Sequence, residues 1–271
     1  MMGKSKVSYN FIFGLILTII MLSLILLGFI WTPYLPDAMD GGKMMESPSL
    51  LHLFGTDQFG RDVFSRVLVG GGNTIVIAMG TVVIGGGIGI LIGAITGYFG
   101  GWLDETLMRV NDAVAAFPSV LLALVLISLF GTGRNRVILA LGIAFIPSFA
   151  RVVRGEFMRY READFVLSAR LIKVPALRIM LVHILPNITP VLLSALAIGF
   201  NNAVLAEAGM SYLGIGVQPP DASLGRMLSE SQSFLLGAPW VAIFPGVFII
   251  LLVLGVGLLG EGILDRYGGG R

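Results

Sequence analysis

The sequence predicts an all-α integral membrane protein of six transmembrane helices, with both termini on the same side. Three observations predict it. Hydrophobic residues make up 56% of the 271 residues and charged residues 13%, against roughly a quarter charged in soluble domains, and the mean hydropathy is +0.91. Uncharged stretches long enough to cross a ~30 Å hydrocarbon core recur along the chain. Thirty-seven glycines suit a bundle whose helices approach closely. With no cysteine in the chain, disulfides, thiolate metal sites and cysteine nucleophiles are excluded.

The first span is Asn10–Trp31, behind Lys4 and Lys6. Trp31-Thr32-Pro33 follows it where a signal peptide would carry a small-residue cleavage site, so an uncleaved span is expected. The next segment is polar and turn-rich to about Gly72. Within it Phe59, Val63, Phe64, Val67 and Leu68 fall on one helical face, with Arg61, Asp62, Ser65 and Arg66 opposite. That pattern predicts a helix lying on the outer membrane surface, capped by Thr56 or Asp57. The second span is Asn73–Tyr98. Its Gly85, Gly89, Gly93 and Gly97 recur every four residues and predict a close helix contact. The third span is expected near Ala113–Phe130 and the fourth near Val137–Val153, with Pro147 inside it. The fifth runs from Ile188 to about Leu205 and the sixth over Val241–Leu259. Residues 1–72 thus form an N-terminal segment with the first span and the surface helix. Residues 73–271 form a five-helix core carrying a loop at 155–187.

Phe149–Pro190 is the longest charged interruption. Seven basic residues (Arg151, Arg154, Arg159, Arg161, Arg170, Lys173, Arg178) face three acids (Glu156, Glu162, Asp164). Counting lysine and arginine by side gives twelve on the face that holds this stretch and both termini, against six on the other. The positive-inside rule therefore places this stretch and both termini in the cytoplasm. Helical spacing predicts one piece over Arg159–Lys173, a break at Val174-Pro175, and a second piece over Ala176–Leu185 ending at Pro186. A rigid helix–break–helix connector suits docking into a partner's groove.

No catalytic constellation is present. There is no Walker-type phosphate loop, and His52 and His183 fall on opposite sides, so they cannot share a metal. His52 is expected to be an ordinary interfacial side chain, and His183 to pack or hydrogen-bond at the end of the cytoplasmic helices. The HExxH and GxSxG patterns of a membrane-embedded hydrolase are missing. No basic, aromatic-interleaved patch suggests nucleic acid. Glu207 is the one acid in or near a span. It serves either as a hydrogen-bonding group between helices or as part of a transport pathway, and Asn201 and Asn202 admit the same two roles. Met210 joins Asn202 and Glu207 as the candidate pathway residues. A self-contained channel or secondary transporter would need a coupling-ion site within its spans, for which only Glu207 is available.

DFVLSARLIKVPALRIMLVHILPN resembles the cytoplasmic loop motif of binding-protein-dependent ABC importer permeases. That motif reads Glu-Ala-Ala, three residues, Gly, then Ile and Leu-Pro. It falls here on Leu167-Ser168-Ala169, Lys173, Ile184 and Leu185-Pro186, so Leu167 and Lys173 replace its Glu and Gly. HLFGTDQFGRDVFSRV, GYFGGWLDETLMRVNDAVAAFPS and AGMSYLGIGVQPPDASLGRML resemble the peptide and nickel group, and its C-type subunit. The resemblance implies a type I importer-like fold with cytoplasmic coupling helices in a bacterial or archaeal cell membrane. It implies a homologous second permease, two cytoplasmic ATPase subunits that hold the ATP and magnesium, and an external substrate-binding protein. The chain itself would carry no cofactor. Arg161, Asp164, Ser168, Ala169, Arg170, Lys173 and Pro186 are the expected ATPase-coupling residues. Short peptides are the favoured substrate, with nickel or a metal chelate as the alternative.

Overall fold

The uncharged stretch at the start of the chain forms α1 (Tyr9–Ile30), and its neighbours build a helical bundle around α2 (Val63–Phe99). The structure, a computed structural model, describes residues 9–267; Lys4, Lys6 and Arg271 lie outside them. The remaining helices are α3 (Gly101–Ala115), α4 (Ser119–Phe130), α5 (Arg134–Arg161), α6 (Asp164–Leu171), α7 (Ala176–Arg178), α8 (Leu185–Tyr212), α9 (Leu224–Ser231) and α10 (Trp240–Tyr267). Among the described residues five helices are long and apolar enough to cross a membrane, or six if the bent pair of α3 and α4 is one span.

Several expectations are corrected. The outer surface helix and the second span are one 37-residue helix, continuous through residues 72 and 73. Its N-cap is Asp62 rather than Thr56 or Asp57: the carboxylate accepts from the Ser65 amide at 2.8 Å and the Ser65 hydroxyl at 2.7 Å. Val63, Val67 and Leu68 are fully buried, and Arg66 is 2% exposed. The polar face does not meet water because ion partners cover it. Arg61 donates to Asp57 at 2.6 Å and to Glu230 at 3.1 Å, and Arg66 lies 3.3 Å from Asp37.

The expected third span is broken. α3 and α4 meet at 85°, because Pro118 disfavours the helical conformation at Phe117. Around the charged stretch, α5 ends at Arg161 and α6 is a separate eight-residue helix, so Arg159–Lys173 is two pieces. Pro186 does not end the second piece. A π-helical turn over Ile179–Ile184 joins α7 to α8, making one 37-residue helical run, Ala176–Tyr212. The wider turn takes up the register that proline's ring and missing N–H disturb.

The glycine row packs as expected, and its partner is α5. A Cβ on Gly85 would lie 2.7 Å from the Gly142 carbonyl oxygen, on Gly89 2.6 Å from Phe149 Cβ, on Gly93 2.5 Å from the Ala150 oxygen and on Gly97 2.6 Å from Phe157 Cβ. The two backbones touch along four turns. Buried side chains form a large central cluster and a smaller one that includes Tyr98, Val153, Phe157, Val166, Ala169 and Ile184 at the end that bears α6.

Candidate coupling end and central cavity

α6 is fixed to the bundle by one face. Val166 and Ala169, three residues apart, are buried in the smaller cluster. The Arg170 guanidinium lies 4.9 Å from the centre of the Tyr98 ring at the foot of α2, a cation–π contact. The helix then closes in a Schellman turn. The Lys173 amide donates to Arg170 at 2.9 Å and the Val174 amide to Ala169 at 3.0 Å. Lys173 takes φ +57°, the left-handed conformation that glycine adopts at no cost. This is the position where the family motif has glycine, so the backbone keeps the turn although the residue differs. Pro175 follows and separates α6 from α7.

The outward surface of this end is apolar at its tip. Leu171 is 84% exposed, Ile172 77% and Leu177 66%, beside the exposed Arg170, Lys173 and Arg178. Asp164 and Ser168 are exposed on α6, whereas Ala169 is buried beneath it. Arg161 pairs with Glu162 at 3.2 Å. Pro186 is exposed at the start of α8, beyond the π turn. His183 Nδ1 lies 3.4 Å from the Arg178 carbonyl. Sequence reasoning singled out the charges and missed the apolar tip, although Leu171-Ile172 just before Lys173 and Pro175 was its signal.

α3 ties this end together. Arg154 donates through Nε and Nη2 to the two Asp104 oxygens at 2.6 and 2.7 Å, a bidentate pair, and Arg151 donates to Asp112 at 3.1 Å. Asp104 sits in the first turn of α3, which carries four charged residues in fifteen.

A cavity of about 590 Å³ opens between α4, α5 and α8. Phe145, Phe149, Val152 and Ile198 line it, with Ser119, Ser148 and Asn202 as its polar groups. It carries no charge. Of the three candidate pathway residues only Asn202 lines it; Glu207 and Met210 are both fully buried. Glu207 accepts from the Thr74 hydroxyl at 2.9 Å and the Ser211 hydroxyl at 2.6 Å, joining α2 to α8. Asn201 donates across to the Val253 carbonyl at 3.0 Å. Among the described residues no group of three histidine or acidic side chains could hold a metal.

At the far end, residues 32–62 fold into a cap over the start of α2. His52 is not an ordinary interfacial side chain. It is 3% exposed, its Nδ1 is 2.9 Å from Asp62, and its ring lies 4.6 Å from that of Tyr34.

Apolar helices around an uncharged cavity, with an exposed apolar tip at one end, suit a multi-pass permease. The chain belongs to the family of binding-protein-dependent transport system inner membrane components, whose pattern matches residues 89–267. It is 37% identical over 222 residues to the dipeptide transport system permease protein DppC of Alkalihalophilus pseudofirmus, covering 82% of this chain and 73% of that one. It is 39% identical over 251 residues to a putative peptide transport system permease protein of Brucella suis, covering 91% and 84%. A putative peptide permease protein of the same organism is 37% identical over 258 residues, 94% and 85% of the two chains.

Proposed function

We propose that this chain is the transmembrane subunit of an ATP-driven importer of short peptides. It pairs with a homologous permease, receives substrate from an external binding protein and docks two ATPase subunits at α6 and α7. The end of α5 and the α6–α7 segment face the cytoplasm, a placement favoured by the concentration of arginine and lysine there. Both termini lie on that side. Catalysis and nucleotide binding belong to the ATPase subunits. The observation that carries the reading is the tip: Leu171 and Ile172, 84% and 77% exposed, ride on a helix held by its opposite face. Such a tip transmits a push as a rigid body rather than absorbing it. The peptide relatives and the uncharged cavity wall support peptides as cargo.

The test is the double variant Leu171→Asp, Ile172→Asp in the assembled transporter. Both side chains are exposed, so its thermal unfolding should match that of the parent. The variant should lose co-purification with the ATPase subunits and with it peptide uptake. Unchanged co-purification would sink the docking assignment. Uptake of chelated nickel without peptide uptake by the parent would sink the substrate assignment.

A further inference from the structure

The cap over α2 contains a second exposed apolar turn that the transport reading leaves unused. Residues 47–54 read Ser-Pro-Ser-Leu-Leu-His-Leu-Phe and carry no charged side chain. Leu50 is 97% exposed, Leu51 71% and Leu53 53%, while His52 between them is 3% exposed. The turn is held in this orientation from behind. His52 Nδ1 is 2.9 Å from the Asp62 carboxylate that caps α2, the Ser49 amide donates to the His52 carbonyl at 2.8 Å, and the Tyr34 hydroxyl donates to the Leu51 carbonyl at 2.8 Å. One inward pin and a hydrogen-bonded backbone therefore present three leucines outward.

These leucines continue the exposed apolar face of the first span. On α1, Leu26 is 60% exposed, Phe29 61% and Ile30 86%, one face at i, i+3, i+4. Trp31, 55% exposed, extends the last turn of α1, its amide donating to the Leu27 carbonyl at 2.8 Å. Trp31, Leu50, Leu51 and Leu53 border one shallow groove of about 380 Å³. The apolar side of the first span thus runs on through a tryptophan, the residue enriched at membrane–water boundaries, into the leucine turn. A protein-docking patch has a polar rim, which this turn lacks on its α1 side.

The geometry points to a membrane anchor. Leu50, Leu51 and Leu53 insert into the interfacial layer of the outer leaflet and hold the cap against the bilayer beside α1. The helix expected to lie on the membrane is buried, and this turn takes its place. The anchor fixes the cap that supplies Asp62, Asp57 and Asp37 to the first turns of α2. It rests on the bundle's being a membrane-spanning permease, and the test separates the two.

The chain has no cysteine, so an introduced one takes the only spin label. Leu50→Cys and Leu51→Cys are compared in phospholipid nanodiscs with Leu26→Cys on α1 and Gly41→Cys in the polar part of the cap. A Cβ at Gly41 meets nothing within 4 Å. Oxygen, which partitions into lipid, and chromium oxalate, which stays in water, are the relaxing agents. The labels at 50 and 51 should follow Leu26, with relaxation by oxygen kept and relaxation by chromium oxalate lost. Labels that follow Gly41 overturn the anchor, and labels shielded from both agents overturn it in favour of a protein contact. If Leu26 itself relaxed with chromium oxalate, the membrane-spanning reading would fail instead.

Discussion

Lys173 holds a position built for glycine. Its φ of +57° is set by the two hydrogen bonds that close α6, and a side chain in that region costs about 1–2 kcal/mol. Glycine would remove that cost and add about 0.5–1 kcal/mol of backbone entropy. Lys173→Gly should therefore be neutral or stabilising by up to about 1.5 kcal/mol. Lys173→Val, β-branched, should lose at least about 1 kcal/mol, both read by thermal unfolding in detergent. A Lys173→Gly variant less stable than the parent would show that the lysine makes a compensating contact. Glu207 teaches the opposite lesson about single residues. A lone acid near a span could serve packing or pathway, and its surroundings match the first: two hydroxyls donate to it in a fully buried site. What a buried polar residue does depends on partners distant in sequence; Thr74 lies 133 residues away.

At the scale of elements, the contact between α2 and α5 is set by glycines whose neighbours are backbone atoms. At Gly93 a Cβ would meet the Ala150 oxygen at 2.5 Å and the Arg154 amide at 2.8 Å, neither of which can rotate away. Gly93→Ala should cost about 1–3 kcal/mol as the helices are forced apart. Gly87, on the same helix with nothing within 4 Å, is the control: Gly87→Ala should be neutral or gain up to about 1 kcal/mol of helix propensity. Equal effects at the two sites would contradict the packing. The Asp104–Arg154 pair staples α3 to α5 through two charge-assisted hydrogen bonds. Asp104→Asn should cost about 1–3 kcal/mol in thermal unfolding, since it leaves the guanidinium half-paired; unchanged stability would refute the staple. The glycine row was legible because period four is a local property of one helix. The bend at Pro118 and the passage through Pro186 were not, since proline permits a stop, a kink or a π turn and only the packed neighbours choose. The surface helix failed for a related reason. Its charged face looked solvated, and its partners Asp37 and Glu230 lie far off in the chain.

For the whole molecule, composition and span length made the membrane class legible, and the charged stretch marked the end proposed to dock the ATPase subunits. Which residues line the cavity was not legible. That depends on the rotation of α4, α5 and α8 about their axes, so Asn202 faces the opening while Glu207 and Met210, five and eight residues on, face the packing. In the proposed reading the cavity and the tip are separate working parts, joined by α5, about 42 Å long at 1.5 Å per residue, and by the unbroken run from α7 into α8. They should accordingly fail in different ways. Ser148→Leu or Asn202→Leu puts bulk into the cavity without touching α6. If cargo passes there, an overpacking cost of about 1–3 kcal/mol in the loaded state slows uptake roughly 5–150-fold. The ATPase subunits should still co-purify and hydrolyse ATP at the parent's basal rate. The Leu171→Asp, Ile172→Asp variant should lose co-purification and uptake together. Uptake and basal hydrolysis measured on both sets in the same liposomes decide the matter. Full uptake by the cavity variants would move the path off this face of the chain, and loss of ATPase binding in them would mean that the two parts are not mechanically distinct.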